Sequence, residues 1–98
     1  MAKEIRWSKE AQRVFDEVVL YLEKHWTERE VEKFVKSTDK VVRQIADNPK
    51  MFRTFSNDKF REVLITPHNL MMYKICTNHI EIITIYDTRQ HPKKKLKK

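Results

Sequence analysis

Apolar residues recur at helical spacing through the first half of the chain. One stripe, spaced by three and four, comprises Ala11, Val14, Phe15, Val18, Leu22 and Trp26. A second stripe comprises Val31, Phe34, Val35, Thr38, Val41, Val42 and Ile45. Such spacing gathers apolar side chains on one side of an α-helix. The pattern predicts helices over 9–25 and 28–47, with Phe34 and Val41 in the core.

Capping residues mark the ends of these two helices. Ser8 is the predicted N-cap of the first, because its hydroxyl can accept a hydrogen bond from an unpaired amide of the first turn. Thr27 and Glu30 have the spacing of a capping box for the second. Pro49 ends the second helix, because proline disfavours helical backbone at the residue before it. Since only two residues separate the helices, we expect an antiparallel helical hairpin.

The period of the pattern changes to two after the second helix. Three segments are rich in β-branched and aromatic residues and are joined by short turns: 60–66, 70–76 and 80–86. They predict a three-stranded antiparallel meander. Residues 3–7 alternate as an N-terminal strand does, and 51–55 form a weak strand or an extended lead-in. The last strand is apolar on both faces, so we place it inside the sheet. The predicted fold is α+β, with the meander packed on the helices.

Length and composition limit the chemistry. The 98 residues suit one domain, which we assign to 1–92, followed by a lysine-rich tail over 93–98. The chain has no glycine, which excludes the glycine-dependent phosphate loop, dinucleotide fingerprint and nucleophile elbow. The single cysteine, Cys76, excludes an internal disulfide and a multi-thiolate zinc site. Cys76 and His79 have ligand-like spacing, but no second pair exists. We therefore expect no metal, no cofactor and no small-molecule substrate.

The expected location is the cytoplasm. A single cysteine is typical of a reducing compartment. No apolar run approaches the roughly 18 residues of a membrane span, so we expect no membrane partner. The first seven residues lack the apolar centre of a signal peptide.

The positive charge is concentrated at the C-terminus. The formal net charge is +7, but residues 1–48 contain 10 basic and 10 acidic side chains, and residues 49–92 contain 6 basic and 4 acidic. The remaining five charges are Lys93, Lys94, Lys95, Lys97 and Lys98. The body of the protein is therefore nearly neutral. The lysine run is either a solvated end or a source of affinity for an acidic partner.

An ordered set of short motifs resembles the RelE/ParE toxin superfamily. The set comprises Trp7-Ser8-x-x-Ala11, Asn48-Pro49, Arg61 in a strand, Leu70-Met71-Met72-Tyr73-Lys74-Ile75, and Ile82-Ile83-Thr84-Ile85-Tyr86-Asp87-Thr88-Arg89-Gln90-x-Pro92. The resemblance covers residues 3 to about 92. It implies the toxin of a type II toxin–antitoxin pair, held inactive by a cognate antitoxin. One branch of the superfamily cuts messenger RNA on the ribosome, and the other blocks DNA gyrase.

The candidate site residues follow from this resemblance. Arg61 and Arg89 match basic positions of the ribonuclease branch, and His91 is the only nearby group that titrates near neutral pH. As catalytic residues these three are candidates only if the chain is a ribonuclease. Leu70 stands where similar ribonucleases have an arginine. The tyrosine that those ribonucleases carry near the C-terminus is missing here. The target-binding candidates are Arg61, Lys74, Arg89, Lys93, Lys94 and Lys95. Arg61 has the alternative interpretation of a solvated strand residue.

Three functions are therefore open. The leading one is a ParE-type toxin that inhibits a protein target such as DNA gyrase without catalysis, with plasmid stabilisation and growth inhibition as its biological effects. The second is a RelE-type, ribosome-dependent endoribonuclease with an incomplete catalytic set. The third is a non-toxic binding domain of the same fold. In each, the expected partner is an antitoxin, whose bound segment should be acidic because Arg61, Arg89 and the lysine tail are the available countercharges.

Overall fold

Two helices pack on one face of a five-stranded sheet. The computed structural model describes residues 3–55 and 57–88. In chain order its elements are β1 (Glu4–Trp7), α1 (Lys9–His25), α2 (Glu28–Asp47), β2 (Arg53–Phe55), β3 (Asn57–Thr66), β4 (Asn69–Ile75) and β5 (His79–Asp87). The α+β class and both predicted helix ranges are confirmed.

The sheet has the strand order β1-β5-β4-β3-β2. The predicted meander is confirmed as β3, β4 and β5, which pair antiparallel. Two strands extend it at the edges. β2 pairs antiparallel with β3, and β1 pairs in parallel with β5. Because β5 has a partner on each side, the predicted interior position of the last strand is confirmed.

A β-bulge in β5 changes which side chains face the helices. Met72 pairs with Thr84 while Tyr73 pairs with Ile82, so Ile83 is an extra residue without a partner in the register. Strict alternation would place Ile82 and Ile85 on opposite faces of the sheet. The bulge shifts this alternation by one position, and both residues are fully buried in the same core cluster.

The core lies between the helices and the sheet. Its buried apolar members are Ala11, Phe34, Val41, Ile45, Ile65, Met71, Tyr73, Ile80, Ile82 and Ile85. The core positions predicted for Phe34 and Val41 are confirmed. The assignment of Trp26 to the apolar stripe of α1 is wrong. The helix ends at His25, and the extended backbone of Trp26 (φ −132°, ψ −166°) leaves its side chain 59% exposed.

The predicted caps are in place, and Ser8 has a second role. Its Oγ accepts from the Ala11 amide at 2.9 Å and donates to the Ile83 carbonyl at 2.7 Å. Ser8 therefore ties the start of α1 to the bulge of β5. Thr27 Oγ1 accepts from the Glu30 amide at 3.4 Å. Within residues 3–55 and 57–88, neither helix is long and apolar enough to cross a membrane.

Candidate functional site

The sheet presents one face to the helices and the other away from them. We call these the inner face and the outer face. Side chains alternate between faces along a strand, and residues paired across strands share a face. The outer face comprises Arg53, Phe60, Glu62, Leu64, Leu70, Met72, Lys74, Glu81 and Tyr86, which are paired with one another or alternate with core residues. None of them belongs to the core cluster.

The outer face has an apolar end. Leu64 pairs with Leu70, and Leu70 pairs with Tyr86, so three neighbouring strands contribute one row across the sheet. We call this set the apolar row. Leu64 is 52% exposed, whereas Leu70, the middle member of the row, is buried at 9%. The next row along the strands contains Glu62 paired with Met72. The apolar row therefore continues into a region where polar and apolar side chains mix.

The opposite end of the outer face carries charges of both signs. Lys74 pairs with Phe60 and with Glu81, and its Nζ lies 5.7 Å from the centre of the Phe60 ring. Arg53 forms an ion pair with Glu62, in which its Nε donates to Oε2 at 3.1 Å and its Nη2 donates to the same oxygen. The Glu62 side chain is only 11% exposed, so this carboxylate is largely withdrawn from solvent. The two cations of the face, Arg53 and Lys74, are matched by two carboxylates.

Tyr86 lies where the apolar row meets this charged region. Burial raises the pKa of its hydroxyl above the ordinary value, and the carboxylate of Glu62 raises it further. The Arg53 guanidinium acts in the opposite direction. The hydroxyl therefore stays protonated at neutral pH and can donate a hydrogen bond, but it is not a general base there.

Arg61 lies on the inner face, and it is 9% exposed. Its Nη1 donates to the Phe52 carbonyl at 2.7 Å and to the Lys50 carbonyl at 3.3 Å. Its Nε has no hydrogen-bond partner among the described residues. The interpretation of Arg61 as a solvated strand residue is therefore wrong. The guanidinium binds the backbone that connects α2 to β2.

Tyr73 binds the same connection from the neighbouring strand. It pairs with Arg61 across β3 and β4, and its hydroxyl donates to the Pro49 carbonyl at 2.5 Å. Together the two side chains hold three carbonyls of residues 49–52. Tyr73 is fully buried, and its hydroxyl binds the Pro49 carbonyl.

The structure separates the two described target-binding candidates. Arg61 points into the inner face, whereas Lys74 lies on the outer face, so they do not form one basic site. Because Arg61 is buried, it is not available as a countercharge for an acidic antitoxin segment. Both assignments to target binding stay predictions. Sequence reasoning missed the apolar row, although the alternation of positions 60, 62 and 64 could have revealed its β3 member.

The other candidates lie outside the described residues. These are Arg89, His91, Lys93, Lys94 and Lys95. Cys76 and His79 flank the turn between β4 and β5, where the Cys76 amide donates to the His79 carbonyl at 2.9 Å. Across the described ranges, no three His, Cys, Asp or Glu side chains are grouped as a metal site would require.

A groove of about 1000 Å³ lies between the helical hairpin and one end of the sheet. Its floor includes Phe34, Ile65 and Ile85. Tyr21 and Trp26 line it from the helical side, and both are more than half exposed. Its charged lining is mostly acidic, with Glu10, Glu17, Glu30 and Asp87 against Arg13 and Lys33. Tyr86 of the apolar row also borders this groove.

Comparison with solved structures places this architecture among bacterial toxins. The chromosomal ParDE toxin–antitoxin system from P. aeruginosa matches at a TM-score of 0.72 and 13% identity, over 88% of this chain and 96% of that one. A YoeB/ParE toxin from Agrobacterium tumefaciens matches at a TM-score of 0.65 and 12% identity, over 86% of this chain and 96% of that one. The YoeB–YefM complex from Staphylococcus aureus matches at a TM-score of 0.62 and 16% identity, over 88% of this chain and 97% of that one. At these identities the likeness defines the fold.

A family model identifies the chain more closely. The model of the ParE toxin of the type II toxin–antitoxin system parDE matches residues 5–92. No curated protein matches the sequence significantly. Because the family match spans nearly the whole described fold, the chain belongs to the ParE toxin family of type II toxin–antitoxin systems.

Proposed function

We propose that this toxin inhibits a protein target, DNA gyrase, by binding and without cutting RNA. The observation that supports the proposal is the charge balance of the outer face. Arg53 is ion-paired with Glu62, and Glu81 lies opposite Lys74 in the strand register. A surface that binds RNA gains most of its affinity from unneutralised cations that contact phosphates. The outer face has no such excess among the described residues.

The chemistry of RNA cleavage leads to the same proposal. Attack by the 2′-hydroxyl requires a base, donors for the developing phosphorane charge and an acid for the leaving oxygen. The described part of the outer face offers one lysine and one protonated tyrosine, Tyr86. Of its two carboxylates, Glu62 is bound by Arg53 and Glu81 lies opposite Lys74, and Arg61 is directed into the inner face. A complete set of catalytic groups for RNA cleavage would have to include Arg89 and His91.

An antitoxin is the proposed regulatory partner. The groove offers an apolar floor and an aromatic rim, which suits a protein segment that inserts apolar side chains between the helices and the sheet. Its mostly acidic charged lining does not suit the acidic segment expected from the sequence, so the acidic residues of an antitoxin would lie outside the groove. Family membership and the YoeB–YefM complex of a protein with the same fold support an antitoxin partner. In this proposal the toxin inhibits growth in the cytoplasm, and inheritance of the gene pair stabilises a plasmid that carries it.

Two assays on the purified toxin test the target. The first measures DNA supercoiling by gyrase, and the second measures message cleavage on translating ribosomes, each with and without the antitoxin encoded beside it. We expect loss of supercoiling, intact message and reversal by the antitoxin. Message cleavage with unchanged supercoiling would refute the proposal and assign the ribonuclease activity. Inactivity in both assays, together with harmless expression in cells, would assign a non-toxic binding domain.

A further inference from the structure

We propose that the lysine-rich tail of this chain, residues 93–98, occupies the groove between the helical hairpin and the sheet when no antitoxin is bound. The tail is basic and the charged lining of the groove is mostly acidic. The family model matches residues 5–92, so family membership does not account for the tail. The inference does not depend on the target of the toxin, and its test requires neither gyrase nor ribosomes.

The described part of the chain ends on the wall of the groove. Thr88 donates its amide to the His68 carbonyl at 2.9 Å and its hydroxyl to the Pro67 carbonyl at 2.9 Å. Pro67 and His68 both line the groove, as does Asp87. The chain therefore leaves the described structure at the groove, and residues 89–92 alone separate Thr88 from the tail.

The segment after Thr88 is long enough to cover the groove. An extended chain spans about 3.3–3.6 Å per residue, so residues 89–98 can extend over about 33 Å. The α1 wall of the groove runs from Glu10 to Leu22, which is about 18 Å at the helical rise. The tail can therefore reach every part of this wall.

The charged lining of the groove has a surplus of negative charge. Among the residues that the structure describes, four carboxylates stand against two cations: Glu10, Glu17, Glu30 and Asp87 against Arg13 and Lys33. Arg13 is ion-paired with Glu17 at 2.8 Å, and the remaining three carboxylates and one cation give a net charge of −2. The tail supplies five lysines and no acidic residue. Since the body of the protein is nearly neutral, the tail is the segment whose charge complements the groove.

The uncharged lining of the groove suits the same segment. Tyr21 and Trp26 present aromatic surface at the rim, where both are more than half exposed. An ammonium group is attracted to the face of an aromatic ring, most strongly to tryptophan, and the lysine stem packs on apolar surface. The tail also contains one apolar residue, Leu96, which the apolar floor can bury.

Covalent attachment makes even a weak contact sufficient for occupancy. A short flexible linker holds the attached group at an effective concentration in the millimolar range. A segment that binds as a separate peptide with a dissociation constant of about 1 mM would therefore fill the groove about half of the time or more when attached. An antitoxin that uses the groove, as proposed above, would first displace the tail, so the tail lowers the apparent affinity for the antitoxin.

Fluorine NMR of toxin labelled with 5-fluorotryptophan measures this occupancy, because the chain contains two tryptophans. Trp26 lines the groove, whereas Trp7 does not and is the internal control. An N-acetylated peptide of residues 93–98 would be titrated into toxin that lacks them. We expect a saturable shift of the Trp26 signal towards its position in the full chain, with Trp7 unchanged. The shift should vanish in about 1 M sodium chloride, where charges are screened beyond about 3 Å.

Matched charge reversals on α1 test the site of binding. Glu17→Lys changes the lining to three carboxylates and three cations, and Glu17 is 59% exposed, so the domain should still fold. Glu23→Lys changes the net charge of the protein equally, on an exposed residue of the same helix that does not line the groove. We expect Glu17→Lys to weaken binding of the peptide at least about fivefold and Glu23→Lys to stay within about twofold, both at wild-type melting temperatures.

Four outcomes would overturn the proposal. The first is a Trp26 signal that shows no saturable response to the peptide. The second is equal weakening by Glu17→Lys and Glu23→Lys, which would indicate diffuse attraction without a site. The third is a difference between the full and shortened chains that grows with toxin concentration, which would place the tail in the groove of a second copy. Deletion of 93–98 should tighten antitoxin binding about twofold or more; weaker antitoxin binding, with Trp26 unresponsive to the peptide, would assign the lysines to the antitoxin.

Discussion

Tyr73→Phe isolates one hydrogen bond in the centre of the molecule. The Tyr73 ring is fully buried, and phenylalanine preserves it, so no cavity forms. The loss is confined to the bond from the hydroxyl to the Pro49 carbonyl. An orphaned buried acceptor costs about 1–3 kcal/mol. Because Pro49 is only partly buried, its carbonyl can be rehydrated, and we expect a decrease in the free energy of unfolding of about 1–2 kcal/mol near neutral pH.

The same substitution has a second signature at alkaline pH. Burial raises the pKa of Tyr73 to about 12, whereas the nearby Arg61 guanidinium lowers it to a smaller extent. An unfolded tyrosine loses its proton near pH 10. Between these values the unfolded state binds fewer protons than the folded state, so the free energy of unfolding falls as the pH rises. The contribution of the raised Tyr73 pKa to the free energy of unfolding is fully present below pH 10. It decreases by at most about 1.4 kcal/mol for each pH unit above that.

Urea denaturation followed by circular dichroism from pH 8 to pH 11 measures both signatures. The free-energy difference between wild type and Tyr73→Phe should be constant below about pH 10 and should shrink above it. Tyr21→Phe is the matched control, since Tyr21 is 54% exposed and its substitution should change stability by less than about 0.5 kcal/mol. A Tyr73→Phe variant as stable as wild type at pH 8, or a difference unaffected by alkaline pH, would refute the reasoning.

Three further predictions concern the core, a cap and the C-terminus. Phe34→Ala should lower the free energy of unfolding by about 3–5 kcal/mol in urea denaturation. Phe34 is 3% exposed, and the centre of its ring lies 5.3 Å from the centre of the Phe15 ring on which it stacks. A change below about 0.5 kcal/mol would show that this helix face is assigned wrongly. Ser8→Ala removes both hydrogen bonds of the Ser8 hydroxyl and should cost about 1–2 kcal/mol in the same assay; an unchanged midpoint would contradict this role. Arg89→Lys should reduce growth inhibition strongly, because lysine cannot reproduce a paired guanidinium contact, whereas deletion of 93–98 should reduce it only modestly; the reverse ranking, at unchanged melting temperatures, would assign binding to the lysine run.

Local patterns predicted the elements because each pattern has a local cause. The helix ends follow from Ser8, Thr27 and Pro49, whose effects extend over one turn of backbone. The β-bulge could not be predicted in this way. The run from Ile80 to Ile85 is apolar on both faces, so alternation could not show where its register shifts. The extra residue, Ile83, accepts a hydrogen bond from Ser8, which is distant in the sequence and gives no local sign of this contact.

The candidate site was harder to predict than the fold. An arginine in a strand has the same pattern whether it faces solvent or the core, and sequence could not show that residues 49–52 would supply acceptors for Arg61. Lys74 and Arg61 were grouped by charge, although their strand positions place them on opposite faces once the register is known. The apolar row depends on two cross-strand registers at once. Neither register can be read from the strands one at a time.

The pairing of β1 with β5 imposes an order on folding. The hydrogen bond from Ser8 to Ile83 joins residues separated by 75 positions, and three isoleucines of β5 lie at the centre of the core. The helical hairpin depends on local contacts and can form early, but its apolar side has no complete surface to pack on until β5 is present. Contacts of such separation are the slow ones in folding, because loop closure precedes their stabilisation. Residues 79–87 must therefore be synthesised before the helical hairpin can pack on a complete sheet.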